Sequence, residues 1–168
     1  MVEHYSIWLI PGKNDQVYLQ KLINRLSYEY NAPIFFPHCT LYSTSILSKT
    51  KLEGIIKTIA IDTQPLFVEL KRLNFTSDIW KTVIIELENS KSLTQLQKNL
   101  MKKIYRKVEY NFQPHISLMY KKLSFEKKKK IIKNLILKNF YKMEHICIVN
   151  TGDDIKNWNI ISKIELNA

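Results

Sequence analysis

The sequence predicts an α+β domain built from two similar lobes, and three observations carry that prediction. Short β-like runs alternate with segments whose apolar residues recur at helical spacing, in the order β-α-β-α-β-β-α-β-α-β-β. Read as halves, the order repeats: strands and helices alternate and close on a strand pair, twice over. No linker or low-complexity stretch divides the 168 residues, so a single domain over 1–168 is expected.

Each element follows from local chemistry. Tyr5–Ile10 reads as a strand closed by the turn signal Pro11-Gly12. Asn14 or Asp15 can cap a helix over Gln16–Tyr28, with Leu19, Leu22, Ile23 and Leu26 on one face. Asn31-Ala32-Pro33 breaks it. Ile34–Tyr42 is a strand that Pro37 confines to an edge or a bulge. Ser48 or Thr50 opens a second helix, buried through Leu52, Ile55, Ile56 and Ile59. Leu66–Leu73 and Trp80–Leu87 form a strand pair around Asn74–Asp78. Ser90 or Ser92 opens a third helix, with Leu93, Leu96, Leu100 and Ile104 inward. Pro114–Tyr120 is a strand. Ser124 caps a fourth helix reaching about Asn139. Met143–Val149 and Trp158–Leu166 close the chain as two strands.

Composition narrows the function classes. Apolar residues are 45% and charged residues 24%, enough for a real core and unlike a disordered chain. No window approaches the roughly 20 apolar residues that span a bilayer. The opening MVEHYSIWLIPGK lacks a basic leader region and reads as a first strand. Cys39 and Cys147 are too few for a disulfide framework or a zinc pattern, and fit reduced, packed thiols in a cytoplasmic protein. The net charge of +11 suggests an anionic ligand, but it rests on 23 Lys against Arg25, Arg72 and Arg106. Arginine, not lysine, is suited to bidentate phosphate recognition, so the charge is weak support.

The chemistry lies in a repeated motif. Phe36-Pro-His-Cys-Thr-Leu41 in one half is matched by Gln113-Pro-His-Ile-Ser-Leu118 in the other. On a strand alternate side chains share a face, so His38 and Thr40 point one way, as do His115 and Ser117. Two such strands related by an approximate two-fold axis would surround one cleft with two imidazoles and two hydroxyls. Displacement at phosphorus needs a base for the attacking water and an acid for the leaving oxygen, and histidine can be either near neutral pH. Two hydroxyls could donate to the nonbridging oxygens. No carboxylate flanks either histidine, so no metal and no cofactor is expected. One His-x-Thr alone is a common structural pattern. Two copies in matched, proline-preceded strands use two of only four histidines.

These motifs make the chain resemble the two-histidine (2H) phosphoesterases, in particular the cyclic phosphodiesterase branch. The likeness extends to Tyr5-Ser-Ile-Trp-Leu-Ile-Pro11, Pro114–Tyr120, Ile146–Thr151 and Trp158–Leu166. The resemblance implies a bilobal, pseudo-two-fold LigT-like fold, with two antiparallel sheets flanking a central cleft and helices outside. It implies metal-independent hydrolysis of ADP-ribose 1″,2″-cyclic phosphate or nucleoside 2′,3′-cyclic phosphates. His38, Thr40, His115 and Ser117 would be the catalytic set; of the near-symmetric pair, His115 is assigned here as the base and His38 as the acid. Tyr120 would help place the water, which requires the strand to end or bulge before it.

Other candidates are open. Trp80 could stack on a base or pack in a turn. Tyr42 shares the face of His38 and Thr40 by alternation and could line the cleft. His4 and His145 read as structural or surface residues. Lys121–Lys142 holds nine lysines and one glutamate, either a solvated face or an RNA-binding flank. The alternatives are a 2H enzyme for RNA ends or oligonucleotide messengers, and a non-catalytic RNA-binding module. A monomer with no membrane contact is expected.

Overall fold

The computed structural model describes residues 4–45, 47–104, 110–152 and 154–167. The elements are β1 (Tyr5–Pro11), α1 (Lys13–Tyr30), β2 (Cys39–Thr44), α2 (Lys49–Ile61), β3 (Leu66–Phe75), β4 (Val83–Leu87), α3 (Lys91–Ile104), β5 (His115–Met119), α4 (Phe125–Lys133), β6 (Phe140–Asn150) and β7 (Asn159–Glu165). Their order is the one that periodicity predicts.

Boundaries move for identifiable reasons. α1 ends at Asn31, which takes a left-handed φ of 50°. The chain then runs to His38 without strand pairing, and β2 opens at Cys39 rather than Ile34. Asp15 does not cap α1. Its carboxylate instead accepts from Lys142 N and Lys138 Nζ, each at 2.8 Å, tying the helix start to β6. Ser48 and Ser124 do cap α2 and α4, accepting from Lys51 N and Lys127 N. α4 stops at Lys133, short of the expected Asn139, whose carbonyl is taken by Leu70 N at the edge of β3. Trp80 lies on a 3₁₀ turn, Ile79–Lys81, ahead of β4 rather than within it.

The strands form one antiparallel network in the order β1-β2-β5-β4-β3-β6-β7, and β6 also pairs with β1. Six strands thus close on themselves, with β7 on the outer part of β6. The two expected sheets are the halves of this single network. They join at one bridge, Cys39 with Ile116, and along β3–β6 from Leu66–Met143 to Glu69–Phe140. The main core lies between this network and the helices, around Ile7, Leu9, Leu19, Ile23, Leu41, Leu52, Ile56 and Tyr141. β1 is buried on both faces. Ile7 and Leu9 enter the main core, whereas Trp8 and Ile10 join Cys147 and Val149 in a second cluster. Both cysteines are buried free thiols, and burial pushes each up to about 12, which keeps them unreactive.

Three bulges matter for the site. The β1–β2 register skips Leu41, the β4–β5 register skips Leu118, and the β3–β4 register skips Lys71. Each extra residue reverses the facing of the residues after it. The first two occupy equivalent places in the two motifs, directly after Thr40 and Ser117.

Candidate active site

The bridge between Cys39 and Ile116 builds the site. Both side chains are fully buried in the core. In antiparallel pairing their sequence neighbours face the other way, His38 across from Ser117 and Thr40 across from His115. The approximate two-fold axis therefore passes through the bridge, and the two motifs meet on one face. That face opens into a cleft of about 510 Å³ whose lining includes His38, Thr40, His115, Trp80 and Tyr120.

Both imidazoles are held alike. His38 Nδ1 lies 2.6 Å from Phe36 O, and His115 Nδ1 lies 2.8 Å from Gln113 O. A carbonyl only accepts, so Nδ1 carries the proton and Nε2 is left for the cleft. The settings differ beyond that. His38 is 5% exposed and stacks on Trp8 with centroids 3.6 Å apart and planes at 9°. Phe35 and Trp158 meet its ring edge-on. Burial pushes its pKa down to about 3, against the pull of the Phe36 carbonyl and with a small push from His115. His115 is half-buried, and burial also lowers it. The Gln113 carbonyl, Asp78 and Glu86 oppose that shift, while Lys81 adds to it.

The hydroxyls are not equivalent. Thr40 lines the cleft. Ser117 is buried, donates to Trp80 O at 3.1 Å and hydrogen-bonds with the Tyr120 hydroxyl. Its proton is committed to the turn that carries Trp80, so symmetry in sequence is not symmetry in hydrogen bonding. That turn is closely braced. Asp78 accepts from Trp80 N, Thr76 Oγ1 donates to Lys81 O, Thr82 Oγ1 reaches Ile79 O and Lys121 O, and Lys128 Nζ reaches Thr76 O.

The bulges decide two tyrosines in opposite senses. The extra residue Leu118 turns Tyr120 toward the cleft, where alternation alone would have turned it away. The extra residue Leu41 turns Tyr42 out of the cleft and into the core, 5% exposed and edge-on to Tyr110. Tyr42 is therefore a core residue, and Ser43 takes its place in the lining. Burial pushes Tyr120 up to about 12, so it remains a phenol.

Trp80 does line the cleft, 45% exposed and stacked near Trp158 at 6.0 Å and 22°. With Trp8 and Trp158, all three tryptophans of the chain converge here. Sequence reasoning missed Trp8, Trp158 and Lys81, although the scarcity of tryptophan was a usable signal. His4 lies at the cleft and His145 does not. Of the lysines in 121–142, Lys121, Lys128, Lys138 and Lys142 make internal hydrogen bonds or ion pairs, which favours the structural reading for that part of the run.

Paired imidazoles on a shared strand bridge, in a closed α+β network, define a two-histidine phosphoesterase. The model of the family "Cyclic phosphodiesterase-like protein" matches residues 2–166, and the chain belongs to that family. It is 21% identical over 125 residues to a cyclic phosphodiesterase of Arabidopsis thaliana, covering 74% of this chain and 69% of that one. Among solved structures, the fold is shared with TT0787 of Thermus thermophilus at a TM-score of 0.69 and 12% identity, over 98% of both chains. It is shared also with E. coli LigT complexed with 3′-AMP, at 0.64 and 12% over all of both chains. The protein is a phosphodiesterase enzyme of this family. Among the described residues no helix is long and apolar enough to cross a membrane.

Proposed function

We propose that the chain uses water to open a cyclic phosphate on a ribose, either ADP-ribose 1″,2″-cyclic phosphate or a nucleoside 2′,3′-cyclic phosphate, giving a phosphomonoester. The observation that carries this reading is the Cys39–Ile116 bridge, which turns His38, Thr40 and His115 into one cleft. In the reaction, one Nε2 takes a proton from water as the water oxygen bonds to phosphorus. The bond from phosphorus to one ribose oxygen breaks, and the other imidazolium gives that oxygen a proton. Each transfer is worth typically about 10²–10⁴-fold.

Burial lowers both imidazoles, His38 down to about 3, so both rest neutral and the proton that the acid delivers is taken up with the substrate. A neutral His38 has the form a base needs, but the burial that keeps it neutral also opposes its taking up a proton. His115 is better placed as the acid, because Asp78 and Glu86 favour its charged form and a bound phosphoryl anion adds to them. Thr40 donates to a nonbridging oxygen. The Tyr120 phenol orients the water, and Ser117 acts on phosphate only by releasing the Trp80 carbonyl. Among the described residues the cleft lining offers imidazoles, hydroxyls and a lysine but no carboxylate, a donor set that suits metal-free acid–base work. The aromatic wall suits a nucleobase, and the LigT complex with 3′-AMP supports a nucleotide ligand.

The test is a panel of cyclic phosphates followed by phosphorus NMR of the products. His38→Ala and His115→Ala should each lower turnover by about 100-fold or more with circular dichroism unchanged. EDTA should leave turnover alone. Activity that appears only with an added divalent metal would overturn the mechanism.

A further inference from the structure

His115 stands on a wall between two cavities. On its far side lies a second one of about 440 Å³, which shares Lys81, Gln113 and His115 with the first. Its remaining lining sets the cations Lys71 and Arg72 beside the carboxylates of Asp78 and Glu86, and is apolar at Ile84, Leu87 and Pro114. Both Lys71 and Arg72 face it, although neighbours on a regular strand point to opposite sides. The cause is the β3 bulge, whose extra residue is Lys71.

Of the two carboxylates of this cavity, one is held in an ion pair. Glu86 takes the Arg72 guanidinium at 2.6 Å and 3.3 Å, together with Asn74 Nδ2. These partners hold Glu86 below its usual carboxylate range. The Asp78 carboxylate accepts from Trp80 N. Lys71 lies within electrostatic reach of Glu86. Yet among the described residues the ammonium groups of Lys71 and Lys81 make no hydrogen bond or ion pair within the chain. Lys71, Arg72 and Lys81 outnumber Asp78 and Glu86 in this lining, so the cavity beside the reacting imidazole carries a net positive charge.

We propose that this second cavity binds a phosphoryl group carried on the 5-carbon of the same ribose that bears the cyclic phosphate. The inference rests on the function proposed above and specifies its substrate. The two cavities share Lys81, Gln113 and His115, so a substrate whose cyclic phosphate lies at the histidines can extend a neighbouring group past His115 into the second. On a nucleotide end, the nucleobase lies against Trp80 and Trp158, the cyclic phosphate at the histidines and the 5-phosphoryl group at Lys71 and Lys81; in ADP-ribose cyclic phosphate the reacting ribose carries no base, and its diphosphate takes the lysines. Two sources supply that group: the diphosphate of an ADP-ribose, or the last internucleotide phosphate of an oligonucleotide end.

Binding of stable ligands tests the subsite without turnover. Calorimetry at low salt should show adenosine 2′,5′-bisphosphate binding about tenfold more tightly than adenosine 2′-monophosphate, the factor that one charge-assisted contact supplies. Lys71→Ala should lower that ratio about threefold and Lys71→Ala with Lys81→Ala should bring it close to one, and added salt should reduce it. A wild-type ratio near one, or a ratio that survives the double substitution, would overturn the proposal. Loss of turnover chemistry in the cyclic phosphate panel would leave the ratio standing, so the two readings fail separately. Turnover then identifies the source. A lower KM for a dinucleotide ending in a 2′,3′-cyclic phosphate indicates an oligonucleotide, and a lower KM for ADP-ribose cyclic phosphate indicates the diphosphate. No advantage of either over the mononucleoside substrate would also overturn the proposal.

Discussion

The neutrality of His38 can be measured through the stability of the fold. The imidazole is 5% exposed, flat against Trp8, and bonded through Nδ1 to Phe36 O. Its pKa falls from 6.5 in the open chain to about 3 in the folded one, with burial as the main cause. As pH drops through about 6.5 the unfolded chain takes up a proton that the folded chain refuses. Below that point the unfolded state binds more protons, so the fold loses about 1.4 kcal/mol per pH unit until the folded value is reached. Between pH 6.5 and about 4.5 the loss comes to about 2.5 kcal/mol, nearly the same for any folded value below about 4. His38→Gln removes the titrating group. Urea unfolding of both proteins at about pH 7.5 and about pH 4.5 isolates its share, because the other groups cancel in the difference. The wild type should lose about 2.5 kcal/mol more than the variant. Equal losses, or an imidazole seen by NMR to titrate near its ordinary value, would refute the reading of His38 as a buried, neutral imidazole.

The unequal hydroxyls and the tryptophan wall carry further expected outcomes. Thr40→Ala should raise the barrier by about 2–4 kcal/mol, read as a fall in kcat, because it removes a donor aimed at developing charge. Ser117→Ala should cost about 1 kcal/mol of stability and appear mainly in KM, through a loosened Trp80 turn, as steady-state kinetics and urea unfolding will separate. Trp158→Ala should raise KM for a nucleotide substrate about tenfold, with Trp158→Phe recovering most of it, since a stacked base is worth about 1–3 kcal/mol. An unchanged KM in the alanine variant would remove the wall from substrate binding.

The alternation of strand and helix was legible because it rests on periodicities of about 2.0 and 3.6 residues, which are local. The motif pair was legible because Pro-His-x-hydroxyl-Leu is likewise local and occurs twice. Caps at Ser48 and Ser124 followed from short-range hydrogen bonding, whereas Asp15 failed as a cap because Lys142 N in β6 and Lys138 Nζ just before it, far along the chain, took its carboxylate. Trp80 was read as the head of a strand because apolar content alone does not reveal a turn braced by Thr76, Asp78 and Thr82.

The reacting groups and their spacing along each strand were written in the order of residues. So was the fact that His38 and Thr40 share a face, as do His115 and Ser117. Folding in three dimensions was needed to pair Cys39 with Ile116 and so bring the two faces into one cleft. It also chose which side each tyrosine would take. A bulge inverts alternation at the residue where two strands of different path meet, and that residue is fixed by the partner strand. Leu41 sent Tyr42 into the core, and Leu118 brought Tyr120 to the cleft, although the two leucines stand in the same place in their motifs. The unequal burial of the imidazoles has the same origin, since Trp8 and Trp158 reach His38 from the two ends of the chain.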